Sequence, residues 1–152
     1  MTQLTIIEKD ILTVSNGIIC HSVNCKRVMG AGLALAIRNM YPQVYQAYIS
    51  KPTWELGDTQ LVPVSKELVI ANMATQDKCG TSKVQTNLTA FRRCLFYVKG
   101  YADTRGLPVY FPYYVGSSLA GGPTNETKEA TWKAVSELIY EVIPNAIICR
   151  KV

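Results

Sequence analysis

The sequence predicts an α/β fold with a largely parallel or mixed sheet covered on both faces. Three observations lead there. Strand-like and helix-like periodicities alternate along the whole chain. Two glycine-bearing loops each follow a strand and precede a helix. Apolar residues make up 48% of the 152 residues and charged residues 18%, enough for one core and too apolar for a disordered chain. No linker, repeat or low-complexity segment divides the chain, so a single domain over residues 1–152 is expected.

The elements follow in order. Leu4 to Glu8 reads as a short strand, and Gly17 to Val23 as a more buried one. After Gly30-Ala31-Gly32, the run Leu33 to Arg38 is helical, and Pro42 opens a second short helix to about Ile49. Asp58 to Val64 and Leu68 to Ala74 read as two strands. Val84, Leu88, Phe91, Leu95 and Val98 recur at spacings of four and three, one face of an amphipathic helix. Leu107 to Phe111 is a strand leading into the glycine-rich 115–123 loop. Trp132, Val135, Ile139 and Val142 mark a last helix, with capping side chains at 124–127, before a buried strand from Ala146 to Cys149.

Composition also restricts function. Sixteen Lys plus Arg against eleven Asp plus Glu give a net charge of +5, which suits an anionic partner, yet no basic run marks a nucleic-acid tail. No apolar stretch reaches the ~18 residues of a membrane span. Met1-Thr2-Gln3-Leu4 lacks the basic and apolar regions of a signal peptide, so a soluble, cytoplasmic protein without membrane association is expected. Five scattered cysteines, no CxxC pair and the single histidine His21 argue against a zinc site; reduced, mostly buried thiols are the expectation, with no metal and no cofactor.

The chemistry concentrates at the two glycine loops, Asn24 to Gly32 and 115–123. Loops of this kind gather at the carboxyl ends of the strands, where backbone N–H groups suit phosphate oxygens. A dinucleotide-binding reading fails on detail, because Gly30-Ala31-Gly32-Leu33-Ala34-Leu35 ends in leucine where the third glycine belongs. His21 shares a strand face with Val23, and spacing leaves open whether it faces site or core. Asn24, just past the strand, is either a turn residue or a polar hand beside the loop.

Three ordered motifs resemble the macro domain family of ADP-ribose-binding modules and enzymes. They are Lys9-Asp10-Ile11-Leu12, then Ile19 to Cys25 followed by Met29 to Ala34, then Val109 to Pro112 with the Gly116 to Gly122 loop and the Trp132 helix. His21-Ser22-Val23-Asn24-Cys25 and Gly121 to Thr127 are most similar to the branch of the yeast ADP-ribose 1″-phosphate phosphatase. The neighbouring branch that removes ADP-ribose from protein glutamate uses a lysine and an aspartate where Gln76 and Ala120 stand here, with Lys78 displaced. The lead-in Lys9 replaces the family's glycine, and Cys149-Arg150 replaces an aromatic over the adenine, so Arg150 could cover the base instead.

The resemblance implies a three-layer α/β/α fold with a mixed, mostly parallel central sheet. It implies ADP-ribose or ADP-ribose 1″-phosphate as ligand, with phosphatase activity as the first expectation. Removal of ADP-ribose from modified macromolecules, or binding alone, are the alternatives. Asp10 and Ile11 would read the adenine; Met29, Gly30, Ala31, Gly32 and Leu33 would surround the diphosphate together with Gly116, Ser117, Ser118, Leu119, Ala120 and Gly121. Asn24 would hold the distal ribose, and His21 with Asn24 would carry the catalysis, His21 as acid, base or nucleophile. A monomer is expected, with nucleic acid only as an ADP-ribosylated substrate.

Overall fold

The computed structural model describes residues 3–76, 86–117 and 124–151. In chain order the elements are β1 (Thr5–Glu8), a 3-10 turn (Ile11–Thr13), β2 (Gly17–Asn24), α1 (Gly32–Met40), α2 (Pro42–Ser50), β3 (Thr59–Pro63), β4 (Leu68–Gln76), α3 (Leu88–Arg105), β5 (Val109–Pro112), α4 (Asn125–Val142) and β6 (Ile147–Arg150). The strands form one sheet in the order β1-β6-β5-β2-β4-β3. Only β3 runs antiparallel, against β4; every other pairing is parallel. The predicted mixed, mostly parallel sheet is therefore present.

Alternation along the central strands builds the layers. In β2, Ile18 and Cys20 join the core under α3 and α4, whereas Ile19 and Val23 join the core under α1 and α2. In β4, Val69, Ala71 and Met73 go to the first core, and Leu68, Ile70 and Ala74 to the second. Both strands are buried on both faces, which is why they read as continuous apolar runs and not as alternating ones. Phe91, Leu95 and Val98 of α3 and Val135, Ile139 and Val142 of α4 present the predicted apolar faces to the first core.

The helix boundaries have local causes. Asn87 caps α3 by accepting from the Ala90 N–H at 2.9 Å. Thr124 and Thr127 form a reciprocal capping box at the start of α4. Pro42 sits at the first position of α2, where its missing N–H costs nothing. The Val84 end of the predicted α3 face lies outside the described residues.

Strand ends differ slightly from the sequence reading. β2 includes Asn24, because Asn24 pairs with Gln76 after a register shift at Val23/Asn24, and β4 correspondingly runs two residues past Ala74. β5 and β6 both extend one residue further toward their carboxyl ends, where Pro112 registers with Cys149. These extensions lengthen the sheet edge on which the site is built. Among the described residues no helix is long and apolar enough to cross a membrane.

Candidate functional site

A two-lobed cleft opens at the carboxyl ends of the parallel strands. The first lobe is lined by His21 and Ser22 from β2, Ala31 to Ala34 at the start of α1, Gln76 at the end of β4, and Pro112 to Ser117 after β5. The second is lined by Lys9 to Leu12, Gly32, Leu33, Ala36, Pro112 to Tyr114, and Cys149 to Lys151 after β6. Gly32, Leu33, Pro112, Tyr113 and Tyr114 belong to both, so the lobes join across the first turn of α1.

That first turn is open to a ligand. Ala31 occupies the position before α1 and supplies no capping side chain, unlike the residues that begin α3 and α4. Gly32 has φ +58, and among the described residues a Cβ built on it would meet nothing within 4 Å. The backbone therefore turns toward the cleft with no side chain in front of it. Uncapped N–H groups and the positive end of the helix together suit an anion.

The second lobe is lined mostly by apolar surface, and its charged side chains are three cations and one carboxylate. Asp10 Oδ1 accepts from the Leu12 N–H at 3.0 Å, capping the 3-10 turn, and Oδ2 lies 3.5 Å from Lys151 Nζ. Lys9, Arg150 and Lys151 line the same lobe as this one carboxylate. The Arg150 guanidinium stands 5.5 Å from the Tyr113 ring centroid and 3.7 Å from Glu8 Oε1. Its observed aromatic partner is thus a wall of the cleft. Tyr113 and Tyr114 pack on each other and on Trp132 at centroid distances of 4.8, 5.0 and 5.9 Å, so α4 backs this wall.

The first lobe holds the histidine. His21 is buried, and its Nε2 lies 2.5 Å from Asn72 Oδ1. Burial pushes its pKa down to about 4, with the Asn72 hydrogen bond pulling the other way. At neutral pH the ring is uncharged.

Asn24 is engaged elsewhere. Its Nδ2 donates to Val28 O at 2.9 Å, and its Oδ1 accepts from Lys26 N–H and from the Tyr48 hydroxyl, each at 2.8 Å. The side chain ties the 25–28 turn to β2 and does not line the cleft. The expectation that it grips ribose hydroxyls thus meets an amide already committed to the loop. Met29 is core, 1% exposed, and Gly30 stands outside the cleft lining. Asp10, Ile11, His21, Ala31, Gly32, Leu33, Gly116 and Ser117 do come together there; Ser118, Leu119, Ala120 and Gly121 lie outside the described residues, as does Lys78. Tyr48 is the support beneath this loop, because its hydroxyl also lies 2.6 Å from Asn24 O. Tyr48→Phe should cost about 1–3 kcal/mol in urea unfolding, the range for a buried acceptor that loses its donor. It should also loosen the 25–28 turn, read as faster amide exchange there than in wild type.

Sequence reasoning missed Tyr113, Tyr114, Ser22 and Lys151 as cleft residues. Two adjacent tyrosines directly after a strand and before glycines were the available signal. Among the described residues no group of three His, Cys, Asp or Glu could hold a metal ion. Cys20, Cys94 and Cys149 are buried free thiols, and burial raises the pKa of each.

Comparison with solved structures decides the fold. A macrodomain protein from Streptomyces coelicolor superposes with a TM-score of 0.77 at 24% identity, covering 99% of both chains. This is the macrodomain fold. The macrodomain of Thermus aquaticus DarG superposes with a TM-score of 0.74 at 18% identity, over 100% of this chain and 99% of that one. Thermosipho africanus DarTG in complex with ADP-ribose gives a TM-score of 0.75 at 18% identity, over 99% of this chain and 42% of that one. No family model and no curated protein matches the chain by sequence. Nothing in these likenesses singles out the phosphatase branch suggested by the motifs, so what the architecture assigns is the fold.

Proposed function

We propose that the chain binds ADP-ribose along the joined cleft and hydrolyses a bond at C1″ of the distal ribose. The observation that carries this reading is the continuity of the two lobes over the uncapped first turn of α1. An elongated anion with its charge in the middle matches that layout. The diphosphate would lie over the N–H groups at Gly32 and Leu33, with Gly116 and Ser117 opposite. Adenine would lie in the second lobe, where Asp10 accepts from the exocyclic amine and the Ile11 N–H faces a ring nitrogen. The distal ribose would then reach His21 and Ser22. A fold neighbour that holds ADP-ribose supports this assignment.

For the group carried on C1″, the described distal lining favours an uncharged substituent over a phosphate, as in an ADP-ribosylated macromolecule. His21, Ser22, Gln76 and Ser117 are polar and uncharged there, and none would compensate a phosphate dianion. The 1″-phosphatase reading is favoured by a different observation, the resemblance of His21-Ser22-Val23-Asn24-Cys25 to the phosphatase branch. In either case His21 acts as a neutral acceptor toward the attacking water, since Nε2 is occupied by Asn72 and attack through it is blocked. Asn24 contributes by holding the loop.

Calorimetry with ADP-ribose, with release assays on an ADP-ribosylated protein and on ADP-ribose 1″-phosphate, separates these readings. Asp10→Asn keeps a side chain able to cap the 3-10 turn but puts an amide where the adenine amine needs an acceptor. The variant should retain wild-type stability and lose about tenfold in ADP-ribose affinity, one charge-assisted hydrogen bond. Unchanged affinity would remove adenine from the second lobe.

A further inference from the structure

A row of polar side chains crosses three strands beneath the distal lobe. His21 of β2 is registered opposite Asn72 of β4, and Asn72 opposite Gln60 of β3. The row ends on α2, where Gln60 Nε2 donates to Ala47 O at 2.8 Å. A backbone carbonyl can only accept, so this contact orients the Gln60 amide and turns Oε1 toward Asn72. Asn72 Nδ2 then donates to Gln60 Oε1 at 3.0 Å, which leaves Asn72 Oδ1 facing His21 Nε2 at 2.5 Å. Oδ1 also can only accept. Nε2 must carry the imidazole proton, and Nδ1 of the neutral ring is a bare lone pair.

That lone pair has no partner among the described residues, although the atom is buried. The adjacent Ser22 Oγ is in the same condition. Both residues line the distal lobe. Buried polar atoms are almost always hydrogen-bonded, so the bare His21 Nδ1 in the wall of this lobe marks where a ligand supplies the missing partner, while Ser22 Oγ stands on the opposite face of β2.

We infer that His21 Nδ1 is the acceptor for a ligand hydroxyl in the distal lobe, and that Asn72 and Gln60 are positioning residues that hold the ring in this tautomer. The identity of the hydroxyl as one of the distal ribose rests on the ADP-ribose reading; the tautomer does not. Selectivity follows from the proton count. A hydroxyl has a hydrogen to give to Nδ1, whereas a fully ionised phosphate oxygen meets it lone pair to lone pair. With the C1″ hydroxyl as that donor, the lobe prefers a ribose free at C1″ over one carrying phosphate there. Burial, which keeps the ring uncharged at neutral pH, sharpens that preference.

The test is imidazole nitrogen NMR on the full chain, where the single histidine assigns its own resonances. In wild type at pH 7, Nε2 should appear as the protonated nitrogen and Nδ1 as the bare one. ADP-ribose should move the Nδ1 resonance in the direction of an accepted hydrogen bond and leave Nε2 in place. ADP-ribose 1″-phosphate should bind about tenfold more weakly, the scale of one hydrogen bond lost. Asn72→Leu should mix the tautomers and lower ADP-ribose affinity. A protonated Nδ1 in wild type overturns the amide-chain argument, and this spectrum decides even if Asn72→Leu fails to fold. An unmoved Nδ1 while calorimetry shows ADP-ribose bound overturns the ligand role but leaves the ADP-ribose reading standing. No ADP-ribose binding at all overturns that reading and the ribose assignment together, leaving the free-state tautomer as a separate result.

Discussion

Gly32→Leu is expected to lower ADP-ribose affinity by about a hundredfold while the protein stays folded. Gly32 belongs to both lobes and has no side chain between its backbone and the cleft. Beyond its chain neighbours and the helix's own backbone, a Cβ there would meet nothing within 4 Å among the described residues, so the cost falls on the ligand. The side chain would occupy the space above the α1 N–H groups and keep a diphosphate at a distance where those hydrogen bonds fail. The backbone also matters: at φ +58 an L residue is strained, which costs roughly 1–2 kcal/mol of stability. Gly106 provides the control. It ends α3 at φ +63, also with nothing within 4 Å of a Cβ, and it lines neither lobe. Gly106→Leu should show the same loss in urea unfolding with wild-type affinity by calorimetry. Equal affinity losses in both variants would mean that strain, and not occupation of the cleft, weakens binding.

The layers of this fold were legible because local and tertiary preferences agree. Buried parallel strands need apolar residues on both faces, and Ile18 to Cys20 and Val69 to Ala71 supply them without interruption. α3 and α4 carry their core residues at helical spacing with cap residues at the start, so spacing and capping mark the same segments. Strand ends were less legible. The pairing of Asn24 with Gln76 depends on a register shift, and register is a property of two segments that neither segment shows alone.

The candidate site divides along the same line. Gly32 and Gly116 could be singled out because a glycine loop between strand and helix is a local signal, whereas Asp10 was reached only through the resemblance carried by Lys9-Asp10-Ile11-Leu12. The face of His21 could not be read, since its environment is made by residues 39 and 51 positions further along the chain, Gln60 and Asn72. The role of Asn24 turned on Tyr48, a residue on another element that reads as an ordinary apolar-face aromatic. Tyr113 and Arg150 likewise meet only because β5 and β6 are neighbours in the sheet.

The same buried row makes stability depend on pH in a window that one histidine defines. Folding lowers the pKa of His21 from 6.5 to about 4, with burial as the first cause and the Asn72 bond opposing it. Between those values the unfolded chain binds a proton that the folded chain refuses, so stability falls as pH falls from 6.5 toward 4. A change of that size corresponds to about 3 kcal/mol, fully lost once the pH is below the folded value. Asp58 titrates in a different window. Burial would raise its carboxyl, but the Glu55 N–H and the Lys51 ammonium outweigh it and hold the pKa below 3.8, so its contribution disappears only in stronger acid. His21→Gln removes the titration while keeping a side chain that can donate to Asn72 Oδ1. Urea unfolding from pH 7 to pH 4 should show wild type losing about 3 kcal/mol more than the variant, with the gap opening below pH 6.5. Parallel curves would mean that His21 in the folded protein takes up its proton as readily as in the unfolded chain, and the neutral acceptor in the distal lobe would have to be abandoned.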